Sequence, residues 1–254
     1  MKNKLGVADY GMDVWDGGLL NLEMRLETLK KIGLEGTEML KAATEIQAID
    51  NASLYHRMGM EFLSCNVANN PGLNMKMTSA FGKDYVWFNV GPCTRDVPME
   101  TYIRRAKKFV EAAKRFNIKA ALHNHLGCRI EQQDEVELFM EQIPEATLIL
   151  DIAHLHAAGG DCIRTIQKYH DRISAVHFKD IFYKDLNVSL ETWWERLRFC
   201  EVGGGNAGFD CEAVAKALVD KKYDKWILIE HDTHLNEPEV DLKVSADRLR
   251  EWFK

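Results

Sequence analysis

The sequence predicts an α/β chain folded as a single-domain (β/α)8 TIM barrel, and three observations predict it. Short apolar runs alternate strictly with longer charged segments of 3.6-residue period, about eight of each, along 254 residues. Such alternation demands parallel strands joined by crossover helices. A doubly wound open sheet would announce itself by a glycine-rich nucleotide turn after the first strand, and none stands there. Eight strand–helix units in a chain of this length match one closed barrel. The whole chain, 1–254, is therefore read as one domain.

The elements follow in order. "KLGVADY" (4–10) reads as the first strand, and "NLEMRLETLKKI" (21–32) as a helix with apolar residues three and four apart. "GLEGTEML" (33–40) is a strand, "EIQAIDNASLYHRM" a helix and "GMEFLSCNV" (59–67) a strand. The stretch 68–81, with Pro71, carries no clear pattern. "DYVWFNVG" (84–91) is rich in aromatic and β-branched residues, as strands are. "METYIRRAKKFVEAAKRF" (99–116) is the clearest helix in the chain.

The second half continues the pattern. "IKAALHNH" (118–125) is the fifth strand, "QDEVELFMEQI" a helix and "ATLILDIAH" the sixth strand, read through His154. "CIRTIQKYH" is a helix and "ISAVHFKD" (173–180) the seventh strand. "CEAVAKALVDKK" (211–222), "WILIEHD" (226–232) and "VDLKVSADRLREWF" (240–253) complete the set as helix, strand and helix. The segment 181–209 is longer than an ordinary βα connection. A long loop on that face of a barrel usually covers the active site, and it has room for a small helix of its own. "EVGGGNAG" within it is a weak phosphate cradle; Trp193 and Trp194 fit a lid or an interface.

Composition mainly excludes. Hydrophobic residues make up 46%, ample for a core, and the net charge is −6. That acidic balance argues against nucleic-acid or anionic-membrane partners, which want a basic surface. Six scattered cysteines show no disulfide framework and no zinc knuckle, so reduced thiols in a cytoplasmic chain are expected. No apolar run approaches ~20 residues, and Asp9 and Asp13 interrupt any secretory h-region.

In a barrel, catalytic groups come from the C-terminal ends of the strands. Here those ends are rich in acids and imidazoles: Glu38, His123 and His125, Asp151 followed by His154, His177 and Lys179, Glu230 with Asp232. Taken singly, each has an ordinary explanation. A buried histidine is usually a hydrogen-bonded core residue, and a strand-end acid such as Glu38 or Asp180 is often a helix cap. Taken together, Asp151, His177 and Glu230 end three apolar strands on one rim. Unpaired buried charges would be costly there, and a divalent cation would pair them at once. The mixed carboxylate and imidazole set suits Mn²⁺, Mg²⁺, Co²⁺ or Zn²⁺ and not Ca²⁺.

At these residues the chain resembles a known group. "LILDIAHLHAAGGD", "RISAVHFKD" and "ILIEHD" resemble the sugar phosphate isomerase/epimerase superfamily of xylose isomerase-like barrels. "HNHLGCRIEQQDEVELFM" adds a likeness to inosose dehydratase and its keto-sugar lyase relatives. The similarity covers roughly 118–235. It implies one divalent metal, Mn²⁺ first, held by Asp151, His177, Glu230 and a fifth-strand ligand. Glu131 is expected to be that ligand, with His125 as runner-up. The resemblance also implies contact of His154 with substrate oxygens, while His123, Asn124, His125 and Lys179 are expected to line the pocket. Glu131, Glu230, His154 and Lys179 stand as candidate bases. His156, Gly159 and Gly160 are read as structural.

The implied activity is proton abstraction next to a carbonyl, with a metal-stabilised enediolate. Isomerisation or epimerisation of a keto-sugar or polyol ketone is the first expectation. Lyase or dehydratase action on a 3-keto-sugar, 3-keto-glycoside or inosose is the close alternative. An endonuclease IV-like phosphodiesterase and a non-catalytic sugar binder are weaker readings. A small carbohydrate partner is expected, and a homo-oligomer is compatible with the fold.

Overall fold

The computed structural model describes residues 3–8, 21–232 and 236–254. Eight parallel strands, among the described residues, form one sheet. They are β1 (Leu5–Val7), β2 (Gly36–Ala42), β3 (Glu61–Val67), β4 (Tyr85–Trp87), β5 (Lys119–His123), β6 (Thr147–Asp151), β7 (Ile173–Phe178) and β10 (Trp226–Ile229). The ladder runs β3-β2-β1-β10-β7-β6-β5-β4. β3 and β4 lie side by side across the remaining seam, so the barrel is nearly closed.

The helices α1 (Leu22–Ile32), α2 (Glu45–Met58), α3 (Pro71–Ala80), α4 (Met99–Arg115), α5 (Gln133–Gln142), α6 (Ile152–Ala157), α7 (Cys162–Tyr169), α9 (Cys211–Asp220) and α10 (Pro238–Trp252) alternate with these strands. Local chemistry starts and stops them. Asn21, Thr44 and Asn70 accept from the N–H three residues on, at the heads of α1, α2 and α3. The patternless stretch 68–81 thus contains a capped helix opened by Pro71 at its first turn. Its sequence signal is weak because its buried face includes the polar Asn74 and Thr78.

Period two along the strands fills the barrel in layers. Leu63, Tyr85, Ala121, Ile149, Ala175 and Leu228 form one interior cluster. Below it, Trp226 packs against Gly6 and Gly36. Gly36 is required there, because a Cβ would stand 2.3 Å from the Glu61 carbonyl oxygen. Two residues above the apolar layer come Trp87, His123, Asp151, His177 and Glu230. The register pairs Ile149 with Ala175 and Asp151 with His177, so the polar ring sits directly on the apolar one.

Two expectations need correction. The sixth strand stops at Asp151 instead of running to His154. Asp151 is the N-cap of α6, its carboxylate accepting from His154 N at 2.9 Å, so the helix begins at once. The segment 181–209 also carries an ordered β-hairpin. β8 (Asp180–Tyr183) pairs antiparallel with β9 (Leu197–Cys200) through the short helix α8 (Trp193–Arg196). The hairpin's Ile181, Leu197 and Phe199 pack on Leu126, Ala153 and Ala157 at the barrel rim. Among the described residues, no helix is long and apolar enough to cross a membrane.

Candidate functional site

The polar ring brings four donors together. One ligand atom each from His123, Asp151, His177 and Glu230 lies within 4.8 Å of the others. Metal bonds of ~2.0–2.2 Å put ligand atoms up to roughly 4.4 Å apart, so small adjustments would gather this set around one ion. Asp151, His177 and Glu230 converge as the strand-end pattern suggested. The fourth partner differs from expectation. Glu131 is not among the converging atoms, and His123 is.

The reason lies in the loop after β5. Gly127, at φ 77°, turns the chain back, and His125 N donates to Ile130 O at 3.2 Å. The Glu131 carboxylate is then used inside this loop. It accepts from Gly127 N and faces Arg95 Nη1 at 3.4 Å. Asn124 also leaves the expected pocket. It is fully buried and binds the Asp151 backbone in both directions, at 2.9 and 3.0 Å, pinning the end of β5 to that of β6.

One ammonium faces three carboxylates at the ring. Lys179 Nζ lies 2.8 Å from Asp151 Oδ2 and 3.2 Å from Asp232 Oδ2, and bonds to Glu230. Burial opposes the charge on Lys179, yet the surrounding carboxylates win and raise its pKa further above the usual range. Burial likewise resists ionisation of Asp151 and Glu230, and Lys179 outweighs it, holding both below the usual carboxylate range. Lys179 is thus a fixed ammonium that donates hydrogen bonds and keeps its proton, which counts against it as a base.

His177 is held from both sides. Its Nε2 lies 2.8 Å from Glu38 Oε2, while its Nδ1 faces Glu230 at 3.2 Å and Asp151 at 3.7 Å. Glu38 therefore takes the Nε2 hydrogen and leaves Nδ1 directed at the cluster, the arrangement by which a carboxylate orients a metal-binding imidazole. Burial depresses the His177 pKa, but the Glu38 and Glu230 carboxylates overcome it and raise it well above normal. Tyr85 OH and Trp87 Nε1 both donate to Glu38 Oε1 at 2.9 Å. In the sequence Glu38 reads as a strand-end acid or a helix cap, with no partner assigned. The missed signal is its spacing, two residues above barrel-lining Gly36.

A second pair flanks the ring. His125 Nδ1 lies 2.6 Å from Leu126 O, and a carbonyl only accepts, so Nδ1 carries the hydrogen and Nε2 keeps its lone pair. His154 is the reverse. Its Nδ1 accepts from Leu126 N at 3.3 Å, so the neutral ring carries its hydrogen on Nε2. That buried Nε2 has no hydrogen-bond partner. Burial holds the His125 pKa down to about 4 and that of His154 well below normal, so both rings are uncharged near neutrality. Their centroids are 3.7 Å apart. A lone pair and an N–H donor thus stand side by side.

A cavity of about 660 Å³ opens above the ring, lined by Glu38, Trp87, His123, His125, Glu230 and Asp232 among others. That volume suits a small ligand. Phe199 and Trp193 of the hairpin close over His154, at centroid distances of 4.5 and 5.9 Å. Trp194 is 55% exposed and stands at the edge of the cavity. His156 stacks on Phe209 at 4.2 Å, in keeping with the structural role expected for it.

The family model of the xylose isomerase-like TIM barrel matches residues 73–252. The chain belongs to that family. Curated relatives include the inosose dehydratase of Clostridium tetani, 29% identical over 48% of this chain and 43% of the relative. That of Clostridium perfringens is 24% identical over 74% and 63%. These alignments span less than two thirds of the relatives' own length. Among solved structures, the IolI protein with a bound zinc atom superposes with a TM-score of 0.73 at 16% identity, covering 98% of each chain. The probable 3-DHS dehydratase AsbF of Bacillus anthracis gives 0.73 at 15%, covering 97% of this chain and 98% of that one. At such identities the structural likeness establishes the fold.

Proposed function

We propose that this chain is a divalent-metal-dependent dehydratase of an inosose-like polyol ketone or 3-keto-sugar. The observation that carries the metal is the convergence of His123, Asp151, His177 Nδ1 and Glu230 on one point of the barrel mouth. His123 replaces Glu131 as the fifth-strand ligand in this reading. Two imidazoles and two carboxylates suit Mn²⁺, Co²⁺ or Zn²⁺ better than Mg²⁺, which prefers oxygen. A divalent ion held there supplies Lewis-acid stabilisation of the negative charge that develops on a substrate carbonyl oxygen.

The remaining steps belong to the chain's own groups. His125 Nε2, with its lone pair free, takes the proton from the carbon beside the carbonyl. The His125 imidazolium so formed gives that proton to the departing β-hydroxyl, which leaves as water, while the unpartnered His154 Nε2–H beside it donates a hydrogen bond. The buried Lys179 ammonium, paired with Asp151, Glu230 and Asp232, keeps Asp151 and Glu230 ionised. Phe199 and Trp193 exclude water from the protonated side. Separate acceptor and donor imidazoles favour elimination, and the curated relatives called inosose dehydratase support it.

Isomerisation or epimerisation is the second reading. It uses the same first step, after which His125 returns the proton to the neighbouring carbon, or a second donor on the opposite face supplies one to the same carbon. The test is incubation with Mn²⁺ in D₂O and a panel of inososes and keto-sugars. Loss of one water, read by mass spectrometry, supports the dehydratase. Deuterium at the α-carbon without loss of water selects the isomerase or epimerase. Neither result on any ketone would overturn the shared chemistry.

A further inference from the structure

Among the described residues, one pair of thiols stands in contact outside the metal cluster. Cys93, after β4, and Cys128, after β5, face each other with Sγ atoms 3.6 Å apart. Both are partly exposed and both line the cavity wall. The other four cysteines are buried, at 2–4% exposure. Their 35-residue separation and lack of a motif hid the pair in the sequence.

We propose that Cys93 and Cys128 form a dithiol modification site, oxidised by low-molecular-weight disulfides to an intrachain disulfide that ties the β4–α4 loop to the β5–α5 loop. The backbone already aligns the two loops. Thr94 and Cys128 form an antiparallel bridge, and Arg129 N donates to Cys93 O. Arg95 reinforces the alignment, donating to Cys128 O at 3.4 Å and to Glu135 at 3.0 Å. An S–S bond is ~2.05 Å, so closure needs the sulfurs to approach by about 1.5 Å, within the reach of side-chain rotation.

The chemistry assigns an order. The hydrogen bond between the two sulfurs outweighs burial and lowers the Cys93 pKa, which favours Cys93 as the attacking thiolate. Its sulfur attacks one sulfur of the oxidised small disulfide, breaking that S–S bond and releasing one small thiolate, which takes a proton from solvent. Cys128 then loses its proton and attacks the Cys93 sulfur of the mixed disulfide, expelling the second small thiol. The protein loses two electrons and two protons, and the small disulfide gains them.

The test is oxidised glutathione applied to the native full-length chain, followed by thiol counting with a maleimide and peptide mapping. The expected result is two reactive thiols before treatment and none after. The mapped peptides contain a Cys93–Cys128 cross-link, and dithiothreitol reverses it. Cys93→Ser and Cys128→Ser, each with an unchanged circular dichroism spectrum, yield no cross-link. A stable glutathione adduct on the wild-type chain without the cross-link would overturn the proposal. So would two thiols that stay reactive throughout.

Discussion

Replacing Glu38 by glutamine reverses one hydrogen bond while preserving shape. Glu38 is 1% exposed, and its Oε1 accepts from both Tyr85 OH and Trp87 Nε1 at 2.9 Å. A glutamine must therefore keep its oxygen on that side, because an NH₂ group there would face two donors. Its NH₂ then points at His177 Nε2, where the carboxylate oxygen had been at 2.8 Å. The imidazole must accept at Nε2 and carry its hydrogen on Nδ1, the atom that faces Asp151 and Glu230. In the native chain an incoming ion displaces the Nδ1 hydrogen while Glu38 holds the one on Nε2; glutamine offers no acceptor there, so Nδ1 keeps its hydrogen and binds an ion poorly. Loss of such an orienting partner weakens metal binding about 10–100-fold, or roughly 1.4–2.7 kcal/mol. The assay is calorimetric titration with Mn²⁺ on wild type and Glu38→Gln, with circular dichroism as the control for folding. Equal affinities in two equally folded proteins would refute the argument that Glu38 sets the His177 tautomer.

Three further outcomes are expected. Lys179→Met leaves Asp151, Glu230 and Asp232 without their cation, so the metal-free protein should lose about 3–5 kcal/mol in urea unfolding. Added Mn²⁺ should restore much of that loss, and an unchanged metal-free midpoint would contradict this pairing. Gly36→Ala drives a Cβ to 2.3 Å from Glu61 O and should cost at least ~1–3 kcal/mol, read as a lowered urea midpoint. Glu137 is the pH test. Burial raises its pKa, but Lys168, Gln133 and Arg164 outweigh this and lower it from 4.5 to about 2. Its folded pKa is depressed, so its stabilisation is present above about 4.5 and is lost as pH falls toward about 2. Glu137→Gln should flatten that part of the acid-unfolding curve, and an unchanged curve would refute the assignment.

The barrel was legible because its signals are local. Period-two strands such as Ala121–His123 and Ala175–His177 carry both the apolar layer and the polar layer above it. Asp151, His177 and Glu230 were legible for the same reason, each ending an apolar run. What failed was everything set by loop geometry. Glu131 lies eight residues beyond His123, and only the turn at Gly127 sends it toward Arg95. His154 looked like strand because Ile-Ala-His continues an apolar run, yet Asp151 caps a helix at that point. Glu38 was weighed as a helix cap because its partner, His177, is 139 residues away. The roles of His125 and His154 depend on Leu126, whose carbonyl fixes one tautomer and whose amide fixes the other. No spacing rule encodes that.

The central claim is that strand ends, including His123, hold one divalent ion without Glu131. Calorimetric titration with Mn²⁺ on wild type, His123→Ala, Asp151→Asn and Glu131→Gln tests it most directly. The account predicts one ion per wild-type chain, retained by Glu131→Gln and lost or weakened at least tenfold in the other two. A wild-type chain that binds no ion, or a Glu131→Gln variant that loses it while His123→Ala keeps it, would contradict the account.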